Sequence, residues 1–272
     1  MNADSYFEIG SSHLVCQDYA LSGNYKDMWY GIVSDGCSSA EYSEIGAQIL
    51  CHTTKNILMV YYDLFANSTV TVTPEFIAHL LAASLRAKAD EVRKIYPISR
   101  DSLQATLLIA VVVKGFLFTF AWGDGVIIRG WDKEIVVFEI DYPDTNAPVY
   151  LMTDIEAYKR KFEDKLNKRV ASYYHRDIIT HKSIGSPPFD TPEVDCRKVE
   201  PGDFILLCTD GFTQYQDQNK KPIDIHDILP TVLDYPNYNG QFVKRTMNFM
   251  KRDLIRKNWS HADDIGIATI VI

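Results

Sequence analysis

Residues 107–140 read LLIAVVVKGFLFTFAWGDGVIIRGWDKEIVVFEI, and this stretch decides the fold class. Runs of β-branched and aromatic residues at 107–113, 116–122, 126–131 and 134–140 are separated by Lys114-Gly115, by Gly123-Asp124-Gly125 and by a short polar turn. Short runs of this kind joined by tight turns read as an antiparallel meander. The run LLIAVVV is apolar on both of its faces, so each face must be covered. Two sheets facing each other, with helices on their outer faces, satisfy that demand. The expected class is therefore α+β, a four-layer α-β-β-α sandwich of two antiparallel sheets flanked by helices. The element order lacks the regular βαβ alternation of a doubly wound parallel sheet.

Working outward, residues 29–34 form a strand that ends at Asp35-Gly36. A helix is expected from Ser43 to about Tyr61, with Ile45, Ile49, Ile57 and Val60 near helical spacing. Thr73-Pro74 opens a second helix, since a threonine cap before a first-turn proline is a start signal. Its apolar face is Phe76, Ile77, Leu80, Leu81 and Leu85. Residues 141–201 are less regular and are expected to be a mobile helical and loop excursion of one domain spanning 1–272. The charged stretch 159–169 within it reads as a solvated face. A strand returns at 204–208, ending at Thr209-Asp210-Gly211. A helix near 241–256 precedes Asp263-Asp264, and IGIATIVI closes the chain.

The 272 residues carry a net charge of −8 with no basic stripe, which argues against nucleic acid as a partner. Five cysteines without C-x-x-C spacing exclude a local zinc ribbon and fit a reducing compartment. The opening MNADSYFEIGSSH lacks the cationic and apolar parts of a secretory signal. No apolar run reaches the roughly 20 residues of a membrane helix. A monomeric cytoplasmic protein without membrane contact is expected.

The placement of aspartates is the most informative feature for function. Asp35 ends WYGIVSD, Asp124 follows FLFTFAWG, and Asp210 follows FILLCT. Asp263 stands just before the last strand and Asp18 in the early CQDY. One Asp-Gly after a strand is ordinarily a turn. Several acids flanking strands of one sheet system instead suit a hard divalent cation, which takes oxygen ligands.

The ordered set His13-x-x-x-Gln17-Asp18, Ser34-Asp35-Gly36, Gly123-Asp124-Gly125, Thr209-Asp210-Gly211 and Asp263-Asp264-Ile265 resembles the metal-dependent protein phosphatase family, type 2C. The resemblance implies a β-sandwich and a serine/threonine protein phosphatase with two Mg²⁺ or Mn²⁺ ions, plus a weaker third in some members. By position, it implies Asp35 as the carboxylate bridging two metals, with the Gly36 carbonyl on one of them. Asp210 and Asp263 match ligands of the second metal. Asp18 matches the acid that acts through metal-bound water, and Asp124 a ligand of the third metal. The implied substrate is a phosphorylated protein, hydrolysed in line by a water that two dications acidify.

Three positions depart from that pattern. Many members carry a phosphate-binding arginine where this chain has His13, which could bind phosphate or act as general acid. Some carry a histidine where this chain has Cys37, read here as a small buried filler. Gln214 replaces a third-metal acid, with Asp217 nearby. Two other functions stay open: a regulatory binding module that has kept the sandwich, and a hydrolase of small phosphate esters.

Overall fold

The computed structural model describes every residue except 72, 132–133, 143–147, 163–169, 176–177 and 184–191. Two antiparallel sheets lie face to face. One has seven strands in the order β1 (Asn2–Glu8), β14 (Ile265–Val271), β11 (Phe204–Cys208), β6 (Gly125–Trp131), β7 (Glu134–Asp141), β8 (Val170–His175) and β9 (Ile178–Ser183). The other has five, in the order β10 (Glu193–Lys198), β5 (Phe116–Trp122), β4 (Leu107–Val113), β3 (Met28–Asp35) and β2 (Asp18–Tyr25). A small ribbon pairs β12 (Tyr215–Gln216) with β13 (Ser260–His261).

Helices cover both outer faces, completing the four layers. Strand β4 shows why. Leu107, Ile109, Val111 and Val113 point into a core shared with α1 (Ser43–Val60) and α3 (Pro74–Arg93), while Leu108, Ala110 and Val112 point into the core between the sheets. On the far side, Leu206, Cys208, Ile265 and Ile267 meet residues of α5 (Ile225–Val232) and α6 (Phe242–Lys257). Fully burying each large aliphatic side chain contributes roughly 1.5–3 kcal/mol, so these layers hold the sandwich together. Helix α3 starts as its sequence predicts, with the Thr73 hydroxyl accepting from the Phe76 amide at 3.3 Å.

Two expectations need correction. The run 107–140 is not one meander: β4–β5 is a hairpin of the five-stranded sheet and β6–β7 a hairpin of the seven-stranded one. The chain changes sheets at Gly123-Asp124-Gly125, where φ is +86° at Gly123 and +135° at Gly125. Only glycine adopts such angles freely. Residues 141–201 are also not chiefly helical. They hold α4 (Ile155–Phe162), but also β8, β9 and β10, which extend the two sheets. Most of the charged stretch 159–169 lies outside the described residues. Strands β1 and β2 and helix α2 (Tyr62–Thr71) carry no clear sequence periodicity and were not expected.

This topology brings the strand ends that carry aspartates to one end of the sandwich. Asp35 closes β3, Asp124 sits at the crossing between sheets, Asp210 follows β11, and Asp263 precedes β14. No helix among the described residues is long and apolar enough to cross a membrane.

Candidate active site

Asp35 is held by its backbone. Its amide donates to Thr106 Oγ1 at 2.8 Å and its carbonyl accepts from the Thr106 amide at 2.8 Å. Ser34 Oγ donates to the Thr106 carbonyl at 2.6 Å. Asp18 faces Asp35 directly in the β2–β3 register. Beyond Asp35, the Gly36 amide donates to the Gln17 carbonyl at 3.1 Å, which joins the two motif segments.

Asp210 begins a single 3-10 turn, Asp210–Thr213, whose last hydroxyl donates back to the Asp210 carbonyl at 2.8 Å. The Gln214 side-chain amide donates to Asp210 Oδ2 at 2.8 Å and to Asp263 Oδ2 at 3.0 Å, cross-linking the two acids. Asp264 turns the other way and is buried. Its carboxylate accepts from the Gly10 amide at 2.7 Å and the Gln17 amide at 2.6 Å, so the loop between them closes around it. That loop carries His13, whose Nδ1 lies 2.9 Å from Asp264 Oδ2 and whose Nε2 lies 3.7 Å from Asp263 Oδ1.

These pieces enclose a cleft of about 910 Å³ lined by His13, Asp35, Gly36, Asp124, Asp210 and Asp263, among others. Six of the seven positions given a metal-binding or catalytic role thus meet at one cleft. The seventh, Asp18, is 3 % exposed and lies behind the wall, accepting from Thr209 Oγ1 at 2.6 Å. Cys37 lines the cleft and is half-buried, with Sγ 3.2 Å from Ser39 Oγ, rather than filling the interior. Asp217 does not line it: its carboxylate accepts from the amides of Asn219 and Lys221 in an exposed turn.

Gathering carboxylates out of water makes each harder to ionise. Burial pushes Asp35 well above the usual carboxylate range, and the charges of Asp18 and Asp210 push it further. Burial does the same to Asp18, against the hydrogen bonds from Thr209 and Asp35 that favour its charged form. Asp124 is raised by burial and then by Asp210. Asp210 is raised to about 6 by burial and by Asp263, with the Gln214 hydrogen bond opposing them. Among the described residues no lysine or arginine lines the cleft, and His13 is the basic side chain there.

That donor set, all oxygen and strongly negative, fits a pair of hard dications. The fit is one of chemistry and convergence. Among the described residues, no three His, Cys, Asp or Glu side chains are already drawn together as a finished metal site.

A family model described as Protein phosphatase 2C matches residues 9–249. The chain belongs to the protein phosphatase 2C family. Three solved structures share the fold with TM-scores of 0.55, 0.53 and 0.53. The first is a serine/threonine phosphatase of S. agalactiae, 17 % identical, with 99 % of each chain covered. The second is PppA of Pseudomonas aeruginosa, described as a regulatory component of T6SS, 15 % identical, covering 99 % of this chain and 96 % of that one. The third is the catalytic domain of the serine threonine protein phosphatase PstP in complex with two manganese ions, 14 % identical, covering 98 % and 96 %. No curated protein matches the chain in sequence.

Several residues that shape the cleft in this protein phosphatase 2C family member escaped the sequence reading. Asp264, named in the sequence only as part of its motif, is the anchor of the His13 loop. Thr209 was quoted only as the neighbour of Asp210. Tyr150 and Asp154 reach the cleft from the irregular segment after β7, where no pattern announced them. Burial raises the Tyr150 phenol far above its ordinary range, with Cys37 adding to the shift.

Proposed function

We propose that this chain is a metal-dependent phosphatase acting on phosphoserine and phosphothreonine in proteins. The observation that carries the reading is the convergence of Asp35, Asp124, Asp210 and Asp263, from both sheets, on one cleft that no lysine or arginine among the described residues lines. Asp35, Asp210 and Asp263 would hold two Mg²⁺ or Mn²⁺ ions, with the Gly36 carbonyl as a further ligand and Asp124 at a weaker third site. Bound there, dications supply charge neutralisation and an acidified water for in-line displacement at phosphorus.

The chain's own residues do the rest. Gln214 holds the Asp210 and Asp263 carboxylates toward each other, and Asp18 backs Asp35 from the interior. His13 faces the cleft where a phosphate oxygen or a leaving alkoxide would lie, ready to bind the one or protonate the other. The PstP structure with two manganese ions supports the metal count by family likeness.

The test is hydrolysis of a phosphothreonine peptide and of an aryl phosphate, in chelator and in Mn²⁺. Metal-stimulated turnover that D35N and D210N abolish supports the proposal. The alternative of a regulatory binding module rests on His13, which stands where the resemblance implies a phosphate-binding arginine. Failure of Mn²⁺ to stimulate either substrate would overturn the proposal and favour that alternative, and turnover of the aryl ester alone would indicate a small-ester hydrolase.

A further inference from the structure

Glu8, His261 and Lys251 form a charged network beneath the cleft that ends on the backbone of Asp263. Glu8 is the last residue of β1, and its side chain is 8 % exposed. His261 Nε2 lies 2.9 Å from Glu8 Oε1, and Lys251 Nζ, from α6, lies 2.6 Å from Glu8 Oε2. Lys251 also donates to the Tyr6 hydroxyl at 3.3 Å. On its other side, His261 Nδ1 lies 2.9 Å from the Asp263 carbonyl oxygen. The Tyr215 ring packs against the imidazole, with centroids 5.7 Å apart.

Each ring nitrogen of His261 lies against an oxygen atom, so contacts at both ends hold the orientation of the imidazole. A buried carboxylate is costly unless paired, and Glu8 has a basic side chain against each of its oxygens. Removing either partner would leave a charge stranded, so the network resists rearrangement. The element it restrains is the turn that presents the Asp263 carboxylate. Groups of this kind, one step removed from a ligand, set ligand orientation and metal affinity.

We propose that His261, clamped by Glu8 and Lys251, is a positioning residue that sets the Asp263 carboxylate for a divalent cation and ties that ligand to α6. This rests on the reading of Asp263 as a metal ligand. The test is calorimetric titration of the full chain with Mn²⁺ alone, together with melting of the metal-free protein, for H261A, H261N, E8Q and D263N. We expect H261A and E8Q to weaken Mn²⁺ binding about 10–100-fold. H261N keeps an amide donor toward the Asp263 carbonyl and should recover most of the loss. A purely structural role would lower metal-free melting in H261A and E8Q while leaving Mn²⁺ affinity within about twofold of the parent; that result overturns the proposal. If H261A does not fold, E8Q decides, and parental affinity in E8Q overturns it. D263N separates the two readings. Weakened binding in D263N with parental binding in H261A and E8Q refutes only the positioning role, whereas parental binding in D263N refutes Asp263 as a ligand.

Discussion

Thr209 Oγ1 donates to Asp18 Oδ2 at 2.6 Å while accepting from the Gly266 amide at 2.8 Å. Thr209 follows β11 of the seven-stranded sheet and Asp18 opens β2 of the five-stranded sheet, so one hydroxyl ties the two sheets behind the cleft. The site is buried, and water is not at hand to replace either bond. T209V keeps the shape but strands an amide and a carboxyl oxygen. It should cost about 1–3 kcal/mol in urea unfolding, the penalty of an unsatisfied buried polar group. T209S retains the hydroxyl and should stay nearer the parent. Equal stability of T209V and T209S would remove this bond from the account.

The crowded carboxylates give the metal-free chain an unusual pH dependence. Asp210 titrates near 6 when folded, against 3.8 for the free side chain. Between those values the folded state keeps a proton that the unfolded state has released, so stability falls as pH rises through that window. Asp18, Asp35 and Asp124 are raised as well and act in the same direction. Glu8 opposes them at the acid end: its bonds to His261 and Lys251 hold it below its ordinary range despite burial, so its contribution is lost as pH falls through its folded value. In chelator, melting should therefore be higher near pH 5.5 than near pH 8. D210N should raise the unfolding free energy at pH 8, by on the order of 1–3 kcal/mol before solvent screening of this half-buried group reduces it. Added Mn²⁺ should reverse the trend, because ligands bind metal deprotonated. A metal-free chain that melts higher at pH 8 than at pH 5.5 would contradict the electrostatics.

The sandwich was legible because its central strands are unmistakable. LLIAVVV and IGIATIVI are buried on both faces and could only lie between layers. Strands β1 and β2 were not legible because NADSYFE and DYALSGNY lie at sheet edges, where half-buried positions need no alternation. The cleft acids could be read as a set because Asp35 and Asp210 end obvious strands and Asp263 precedes one. Their supports could not. Asp264 and Thr209 act through contacts to residues more than 190 positions away, and no local pattern encodes such a distance. The change of sheet at Asp124 was hidden for a related reason: a Gly-Asp-Gly crossing and a Gly-Asp-Gly hairpin look alike in sequence.

Gln214 stands where the family resemblance implies another acid, and its amide donates to both Asp210 and Asp263, partly offsetting the repulsion between them. Q214E replaces that shared donor with a third carboxylate. At pH 8 in chelator the variant should melt a few degrees below the parent, since about 1 kcal/mol corresponds to roughly 2–4 °C in a chain of this size. With Mn²⁺ the deficit should disappear, because the added charge becomes a ligand or a counter-charge. A deficit that persists at saturating Mn²⁺ would mean that Gln214 serves packing rather than charge.

His13 can act on the phosphate or on the leaving group, and the two roles separate by substrate. Its loop is fixed by the Asp264 carboxylate, which holds the imidazole at 2.9 Å, so replacing the side chain leaves the loop's backbone anchors intact. An aryl phosphate departs as a stabilised phenolate and needs little protonation, whereas a serine or threonine alkoxide needs a proton in the transition state. If His13 is the general acid, H13A should lower kcat on a phosphothreonine peptide about 10²–10⁴-fold while sparing the aryl ester. If it binds phosphate, both substrates should suffer alike, chiefly in KM, and H13R should restore them. Parental kinetics of H13A on both substrates would place His13 outside the reaction and leave Asp264 as a structural anchor alone.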